Sequence, residues 1–227
     1  MNNIYSEGMM LLINKPFQWT SFDVIRKIRY LTKTKKVGHA GTLDPLATGL
    51  LIVCTGKFTK KINEFMAQEK EYTGTITLGA TTPTYDLESD PVPFGSFGAL
   101  SLNDIEKAAQ SFKGHIMQVP PIHSAIKKEG KRVYEMARRG EEVKLEARPV
   151  LISEFDITKV ELPEVSFRVV CSTGTYIRSL ANDIGLKLGT GGYLSSLCRT
   201  RIGNFTLKEA TSIQEFESQF LNEHQKG

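Results

Sequence analysis

Residues 38 to 49 read Gly38-His39-Ala40-Gly41-Thr42-Leu43-Asp44-Pro45-Leu46-Ala47-Thr48-Gly49, a glycine-rich loop that carries one carboxylate. Pro45 disfavours helical backbone at Asp44 and suits the first position of a helix, so Asp44 is a candidate helix N-cap. An ordinary aspartate has a pKa of about 3.9, and a cap or a nearby cation keeps it ionised at neutral pH. Asp44 is therefore either a cap in a glycine turn or a carboxylate available for nucleophilic chemistry.

The length and composition indicate one domain with a sizeable core. The chain has 227 residues, of which 40% are hydrophobic, and this favours a single domain over residues 1–227. No apolar run approaches the roughly 18 residues that a membrane helix needs, and the first residues lack a signal-peptide pattern, so we expect a cytoplasmic protein. Cys54, Cys171 and Cys198 are scattered and odd in number, which predicts buried free thiols rather than disulfides or zinc ligands.

The net charge of +4 is distributed unevenly along the chain. Residues 24–38 carry six basic side chains and no acidic one, and residues 124–148 carry eight basic against five acidic side chains. A basic stripe of this kind is typical of a surface that binds a polyanion such as nucleic acid. A solvated helix face has a similar composition, so charge alone leaves both interpretations open.

Hydrophobic periodicity predicts interleaved strands and helices. Strands are predicted at 9–14, 50–54, 70–78, 149–160, 165–172 and 197–202. Helices are predicted at 20–31, 59–66, 103–112, 133–139, 177–188 and 213–220, the first with an apolar stripe of Phe22, Ile25, Ile28 and Tyr30. Residues 81–99 form a long loop rich in Pro and Gly, and residues 125–132 form a basic hairpin. The irregular alternation favours an α+β fold over a doubly wound sheet.

Several motifs in the same order resemble the TruB family, the bacterial synthases that isomerise uridine to pseudouridine in the T arm of transfer RNA. Besides the Asp44 loop, the motifs are Leu11-Leu12-Ile13-Asn14-Lys15-Pro16, Lys70-Glu71-Tyr72, Ser124-Ala125-Ile126-Lys127, Gly174-Thr175-Tyr176-Ile177-Arg178 and Tyr193-Leu194-Ser195-Ser196-Leu197-Cys198-Arg199. The resemblance covers nearly all of the chain. It implies the pseudouridine synthase fold, a mixed, largely antiparallel sheet flanked by helices with a central active-site cleft.

The resemblance also implies roles for three catalytic side chains. Asp44 matches the family's aspartate, which either attacks the nucleotide or takes a proton from the sugar. Tyr72 matches the tyrosine that stacks on the target base and is placed for proton transfer, whereas on composition alone it is a half-buried strand aromatic. Arg178 matches the arginine that pairs with the catalytic carboxylate, although without the resemblance it is a surface helix arginine.

Further residues are implied to bind the RNA substrate. His39 matches the histidine that fills the space left by the flipped base, and Lys15 matches a supporting lysine near the cleft. Leu197 matches an apolar wall of the base pocket, although its residue type is equally typical of a core leucine. In the loop after the tyrosine strand, Pro83 replaces an acidic residue of the family, while Asp86 remains. The basic residues expected to contact RNA from an insertion at residues 113–148 are Lys127, Lys131 and Arg132.

Pseudouridine formation breaks an N-glycosidic bond and rejoins the base through carbon, so we expect neither a metal nor a redox cofactor. The expected substrate is uridine 55 in a T-arm stem-loop of tRNA, bound by a monomer that needs no protein partner and no membrane. Longer family members add a C-terminal RNA-binding domain of the PUA type, and the expectation here is a short form without it.

Three other functions fit the sequence less well. The basic segments alone permit a non-catalytic RNA-binding or RNA-chaperone module, but such a module does not require Asp44, Tyr72 and Arg178 together. A guide-RNA-dependent relative is expected to carry the C-terminal domain and partner proteins. A hydrolytic glycosidase generally places two carboxylates around the bond that it breaks, and only one is evident in this sequence.

Overall fold

In the computed structural model, residues 4–122, 127–128, 131–132 and 145–224 are described. The chain divides into two compact units, the first made of Met1–Tyr72 with Leu197–Gly227 and the second of Thr73–Ser196. It enters the second unit within strand β4 (Lys70–Leu78) and leaves it within strand β12 (Gly192–Ile202). The first unit therefore combines segments from both ends of the sequence.

The first unit is built around a mixed sheet. Its further strands are β1 (Met10–Lys15), β2 (Val37–His39), β3 (Thr48–Thr55), β13 (Phe205–Thr206) and β14 (Thr211–Ser212). Its helices are α1 (Ile4–Glu7), α2 (Ser21–Thr32), α3 (Ile62–Ala67) and α6 (Ile213–His224), with 3-10 turns at Gly56–Lys61 and Leu207–Glu209. Strand β3 pairs antiparallel with β1 and β2 and parallel with β12. Strand β1 also pairs parallel with β14, and β12 pairs antiparallel with β13.

Strand β3 is buried on both faces. Leu51 belongs to a core cluster that includes Val24 of α2, whereas Ile52 belongs to a second cluster that includes Phe65 of α3. A strand that is covered on both sides needs apolar residues at consecutive positions, which explains its uninterrupted apolar sequence. The Asp44 loop leads directly into this strand, so the core of the first unit fixes one end of the loop.

Helix α2 begins with a capping box. The Thr20 hydroxyl accepts a hydrogen bond from Asp23 N at 3.0 Å, and the Asp23 carboxylate accepts one from Thr20 N at 2.9 Å. These two bonds satisfy backbone donors that the first turn of a helix leaves without partners. The predicted start of this helix is confirmed.

The apolar stripe that was predicted for α2 is partly wrong. Phe22 and Tyr30 are 60% and 68% exposed. The buried apolar residues are Val24, Ile25, Ile28 and Leu31. At 100° per residue these four cluster on one side of the helix, which leaves Phe22 and Tyr30 on the other side.

The second unit has its own sheet, in the order β4, β11 (Glu164–Cys171), β10 (Arg148–Glu161) and β7 (Gly114–Gln118). Strand β10 pairs antiparallel with both β11 and β7. Helix α4 (Leu102–Gln110) packs on β10 and contacts α5 (Ile177–Lys187). Two small ribbons complete the unit, β5 (Ala80–Thr81) with β6 (Val92–Pro93) and β8 (Lys127–Lys128) with β9 (Lys131–Arg132).

The α+β prediction and the mixed, largely antiparallel pairing are confirmed. The helix predicted at 59–66 is instead a 3-10 turn followed by α3, and the ribbon of β5 and β6 lies partly within the loop predicted at 81–99. Strand β7 and the short elements α1, β2, β13 and β14 were not predicted. Cys54 and Cys171 are buried as expected, whereas Cys198 is only partly buried. The helix predicted at 133–139 lies outside the described residues.

Among the described residues, no helix combines the length and the apolar character that crossing a membrane requires.

Candidate active site

Asp44 lies in a tight turn between the glycines of its loop and strand β3. Ala47 N donates to Asp44 O at 3.1 Å, and Pro45 occupies the second position of the turn, where its fixed φ is favourable. No helix begins here, because Thr48 already starts β3, so the N-cap interpretation of Asp44 is wrong. The carboxylate is partly buried at the first position of a turn.

Lys15 anchors this turn from strand β1. Its ammonium is fully buried and donates to three backbone carbonyls, Pro16 O at 3.0 Å, Trp19 O at 2.5 Å and Pro45 O at 3.2 Å. Gln18 N donates to the same Pro45 carbonyl at 2.9 Å. The loop that follows β1 and the turn that carries Asp44 are therefore held by one cation.

Ser21 anchors the residue before Asp44 from the first position of α2. Its hydroxyl accepts a hydrogen bond from Leu43 N at 2.9 Å and lies 3.2 Å from Leu43 O, to which it donates. Both groups are buried, so this pair satisfies backbone that would otherwise lie unpaired in the core.

Arg199 is a third anchor, and sequence reasoning did not single it out. Its side chain is 1% exposed on β12, and Nε donates to Leu50 O at 2.8 Å while Nη2 donates to Gly41 O at 3.1 Å. Gly49 allows the close approach, since a Cβ there would lie 2.4 Å from Arg199 O. The signal in the sequence that could have revealed Arg199 was a charged residue at a core position of a strand.

Two titratable groups near Asp44 have lowered pKa values. Burial lowers the pKa of Lys15 to about 8, with the charge of Arg199 acting in the same direction and the carboxylates of Asp44 and Asp23 opposing it. Burial also lowers the pKa of His39, helped by Arg199 and partly offset by a hydrogen bond with the Gly41 backbone. His39 is therefore neutral at neutral pH.

The lowered pKa of Lys15 predicts how stability depends on pH. Lys15 titrates at 10.5 when unfolded and at about 8 when folded, so between these values the unfolded state binds the extra proton. Stability therefore rises with pH across this interval, by up to about 1.4 kcal/mol per pH unit. We expect the free energy of unfolding of the wild type, minus that of Lys15→Met, to increase from pH 8 to pH 10.5 in urea titrations. The exposed Lys208→Met is the control, and a difference that stays flat for Lys15→Met contradicts the prediction.

The other predicted site residues of the first unit are Tyr72 and Leu197. Tyr72 is 8% exposed on β4, so its ring is more deeply buried than a half-buried strand aromatic. Leu197 is partly buried at the point where β12 enters the first unit, with its carbonyl 3.5 Å from the Thr48 hydroxyl. The first unit thus contains the predicted residues Lys15, His39, Asp44, Tyr72 and Leu197.

Arg178 and Asp86 meet inside the second unit. Arg178 lies in the first turn of α5, its Nε is 3.6 Å from Asp86 Oδ2, and Nη1 donates to Thr84 O at 3.1 Å. Both side chains are 5% exposed. The alternative of a surface helix arginine is therefore wrong, and the pair is a buried ion pair whose members depend on each other.

Hydrogen bonds fix the loop that carries Asp86. Thr82 Oγ1 donates to Asp86 O at 2.7 Å, and Glu88 N donates to Asp86 Oδ1 at 3.0 Å. Tyr85 has a left-handed backbone with φ of 63°, and its carbonyl accepts a hydrogen bond from Leu194 N at 2.9 Å. Pro83, in the same loop, is exposed.

The predicted hairpin in the basic insertion is confirmed at backbone level, since Lys127 pairs with Arg132 and Lys128 with Lys131. The roles of Lys127, Lys131 and Arg132 in RNA binding stay predictions. Within residues 4–122 and 145–224, no three side chains of the His, Cys, Asp or Glu type come together as a metal site would require.

Comparison with known proteins adds independent findings. The model of the N-terminal domain of the TruB family of pseudouridylate synthases matches residues 29–177, and that of the tRNA pseudouridylate synthase B C-terminal domain matches residues 178–227. A tRNA pseudouridine synthase B of Flavobacterium johnsoniae is 53% identical over 222 residues, covering 94% of this chain and 96% of the relative. The protein of the same name from Phocaeicola vulgatus is 49% identical over 218 residues, covering 93% of each chain.

Two solved structures are also similar. A chain in a Cbf5–Nop10–Gar1 complex matches with a TM-score of 0.77 and 28% identity, covering 98% of this chain and 57% of that one. A chain in an H/ACA RNP bound to a substrate RNA containing 2′-deoxyuridine matches with a TM-score of 0.75 and 25% identity, covering 99% of this chain and 57% of that one. This chain therefore spans little more than half the length of either solved chain.

Proposed function

This chain belongs to the TruB family of pseudouridylate synthases, and from this premise we propose that it isomerises uridine 55 in the T arm of transfer RNA. The relatives that are 49–53% identical over nearly their whole length are named tRNA pseudouridine synthase B, an isomerase. The observation that supports the proposal most directly is the Asp44 turn, whose backbone is held by Lys15, Ser21 and Arg199.

Asp44 is the proposed catalytic carboxylate. A carboxylate that reacts with a nucleotide must be ionised and must keep one geometry, because misplacement is costly in rate. The anchored turn supplies the geometry, and the positive charge of Lys15 stabilises a negative charge on Asp44, as their mutual attraction indicates. The same conditions serve either first step, attack on the nucleotide or removal of a proton from the sugar.

The overall reaction balances without any added redox partner. The C1′–N1 bond breaks, the base turns, and a C1′–C5 bond forms. The proton on C5 then leaves, and N1 takes up a proton, so that substrate and product are isomers. Tyr72 is proposed to stack on the turning base and to stand near the proton transfer, with Leu197 as an apolar wall of the base pocket.

The remaining residues are proposed to bind the RNA or to orient the catalytic carboxylate. The extruded base leaves a gap in the T loop, and a neutral His39 can fill it without burying a charge. Arg178 is proposed to orient the reacting carboxylate, and Asp86 to position Arg178 through their buried contact. In this scheme Lys15 supports the turn and does not touch the reacting atoms.

We propose a T-arm stem-loop of tRNA as the RNA that is recognised, and the cytoplasm as the place of the reaction. A monomer without protein partners also belongs to this proposal. A chain of an H/ACA RNP bound to a substrate RNA is similar as well, but it is 25% identical, against 53% for the Flavobacterium johnsoniae relative. We therefore do not propose the guide-RNA-dependent alternative.

One assay tests the function directly. The purified chain is mixed with a tRNA transcript that carries tritium at C5 of uridine, and both tritium release and the position of the product are measured. We expect release from one uridine per molecule, at position 55, without guide RNA or added protein. No release, or release that requires a guide RNA, contradicts the proposal.

The basic insertion makes a separate prediction. Reversing the charge of Lys127, Lys131 and Arg132 to Glu should weaken tRNA binding and flatten its salt dependence, because fewer counterions are released from the RNA. The slope of log Kd against log salt should fall by roughly 0.7 to 0.9 per lost phosphate contact. Lys107 and Lys159, both exposed in the same unit, provide a charge-reversal control. A slope equal to that of the control means that this segment does not face the RNA.

A further inference from the structure

Helix α2 carries aromatic and basic side chains on the side turned away from the core. Phe22, Arg26 and Tyr30 are spaced four residues apart and therefore share one face of the helix. Phe22 and Tyr30 are each more than half exposed to solvent. Just after the helix, Lys33 Nζ lies 4.4 Å from the centre of the Tyr30 ring. Aromatic faces and positive charge are thus combined on one surface.

The positive charge of α2 and of the segment that follows it is only partly neutralised. Near the helix start, Arg26 and Lys27 each lie within 2.8 Å of a carboxylate. Beyond the helix, Lys33, Lys35 and Lys36 are exposed, and in the part of the chain that the structure describes none of them forms an ion pair with a carboxylate. These three lysines are therefore available for a polyanion.

An open groove of about 560 Å³ runs beside the aromatic residues. It is lined by Gln18, Trp19, Asp23, Arg26, Lys27 and Tyr30. Its walls combine two aromatic rings with the Gln18 amide, two cations and the Asp23 carboxylate, which pairs with Arg26. The rings suit the stacking of a flat heterocyclic base.

The groove and the Asp44 turn share one framework within the first unit. Ser21, the first residue of α2, bonds to Leu43 next to Asp44. Lys15 joins the carbonyl of Trp19, on the groove wall, to that of Pro45, in the turn. These bonds fix the wall of the groove relative to the Asp44 turn.

We propose that the α2 surface, defined as Phe22, Tyr30, Lys33, Lys35 and Lys36, is a second RNA-binding surface for nucleotides outside the reacting one. Unpaired bases stack on Phe22 and Tyr30, and the lysines contact phosphates. The identity of this RNA as the substrate tRNA rests on the proposed function. Adsorption to a membrane is disfavoured, because a membrane-bound amphipathic helix inserts its apolar face, and the apolar face of α2 is buried in the core.

Two variants and one control test the proposal by fluorescence anisotropy with an unmodified tRNA transcript at several KCl concentrations. Phe22→Ala with Tyr30→Ala should raise Kd at least about fivefold and leave the salt slope unchanged, since stacking is not ionic. Replacing Lys33, Lys35 and Lys36 with Ala should lower the slope by roughly 0.7 to 0.9 per lost contact. The control replaces three exposed lysines of the same unit, Lys57, Lys60 and Lys208, with Ala.

The outcomes separate this surface from the proposed function. If both variants bind tRNA as the control does, the α2 proposal is overturned, whether or not the wild type forms pseudouridine. If the wild type forms no pseudouridine but the variants lose affinity as expected, the α2 proposal is supported and the proposed function is contradicted. If tRNA affinity is unchanged and the variants instead lose adsorption to vesicles of equal parts phosphatidylserine and phosphatidylcholine, the surface faces a membrane and the proposal is wrong.

Discussion

Asp44→Asn should lower kcat for pseudouridine formation by at least about 10⁴-fold, which corresponds to about 5.4 kcal/mol of transition-state stabilisation. The amide keeps the shape of the carboxylate but can neither attack the nucleotide nor accept a proton as a carboxylate does. The anchors that hold the turn bond to the backbone of Pro45, Leu43 and Gly41 and are untouched by the change. We therefore expect the fold to be preserved and the Kd for tRNA to stay within about threefold. Single-turnover tritium release and anisotropy measure the two quantities separately.

A matched control makes the same chemical change elsewhere. Asp90 is exposed in the loop after β5, so Asp90→Asn should leave kcat and Kd unchanged. If Asp44→Asn instead forms pseudouridine within about tenfold of the wild-type rate, the carboxylate is not the reacting group. Asp44 would then be a structural turn residue, which is the alternative that the sequence left open.

Arg178→Lys should lower kcat/KM by at least about 100-fold, or about 2.7 kcal/mol. The guanidinium of Arg178 contacts both the Asp86 carboxylate and the Thr84 carbonyl, and it is almost completely buried. A lysine has a single ammonium and cannot reproduce a planar fork that reaches several acceptors at once. The variant leaves a positive charge in place, so the buried Asp86 keeps a counter-ion and the fold should be retained.

Arg168→Lys is the control for this substitution, since Arg168 also contacts two carboxylates, Glu154 at 2.5 Å and Asp156 at 3.2 Å, but at the surface. It should change kcat/KM less than about twofold. A purely structural role for Arg178 would lower the melting temperature and leave kcat of the folded enzyme near the wild-type value. That result would remove Arg178 from the proposed catalytic group.

The sequence located the Asp44 loop because its signals are local. Glycines at 41 and 49 and the proline after Asp44 restrict the backbone over a few residues, so a turn is predictable there. The longer strands and helices were likewise predicted from short-range periodicity. The family resemblance pointed to Tyr72 and Arg178 as site residues. The local sequence alone favoured ordinary structural roles for both.

Other features depend on partners that are distant in the chain. Arg199 is buried only because Leu50 and Gly41, about 150 residues earlier, offer carbonyl acceptors, and no pattern near Arg199 reveals them. Strand β7 forms because β10 pairs with it, although its own sequence carries few strand-forming residues. The exposure of Phe22 and Tyr30 was not predicted, because the positions of apolar residues along a helix do not show which side of the helix packs on the core.

The three anchors of the Asp44 turn grip peptide groups rather than side chains, and this has a consequence for mutational tolerance. Any residue that keeps the backbone path leaves those bonds intact, so the exposed Thr42 is open to substitution or to the attachment of a reporter group. Gly41 and Gly49 are not open in this way, because both have φ near +100° and a Cβ at Gly49 would strike Arg199 O. A variant library of this loop should thus be designed around its conformation first and its chemistry second, with the side chains of Asp44 and His39 held constant for function.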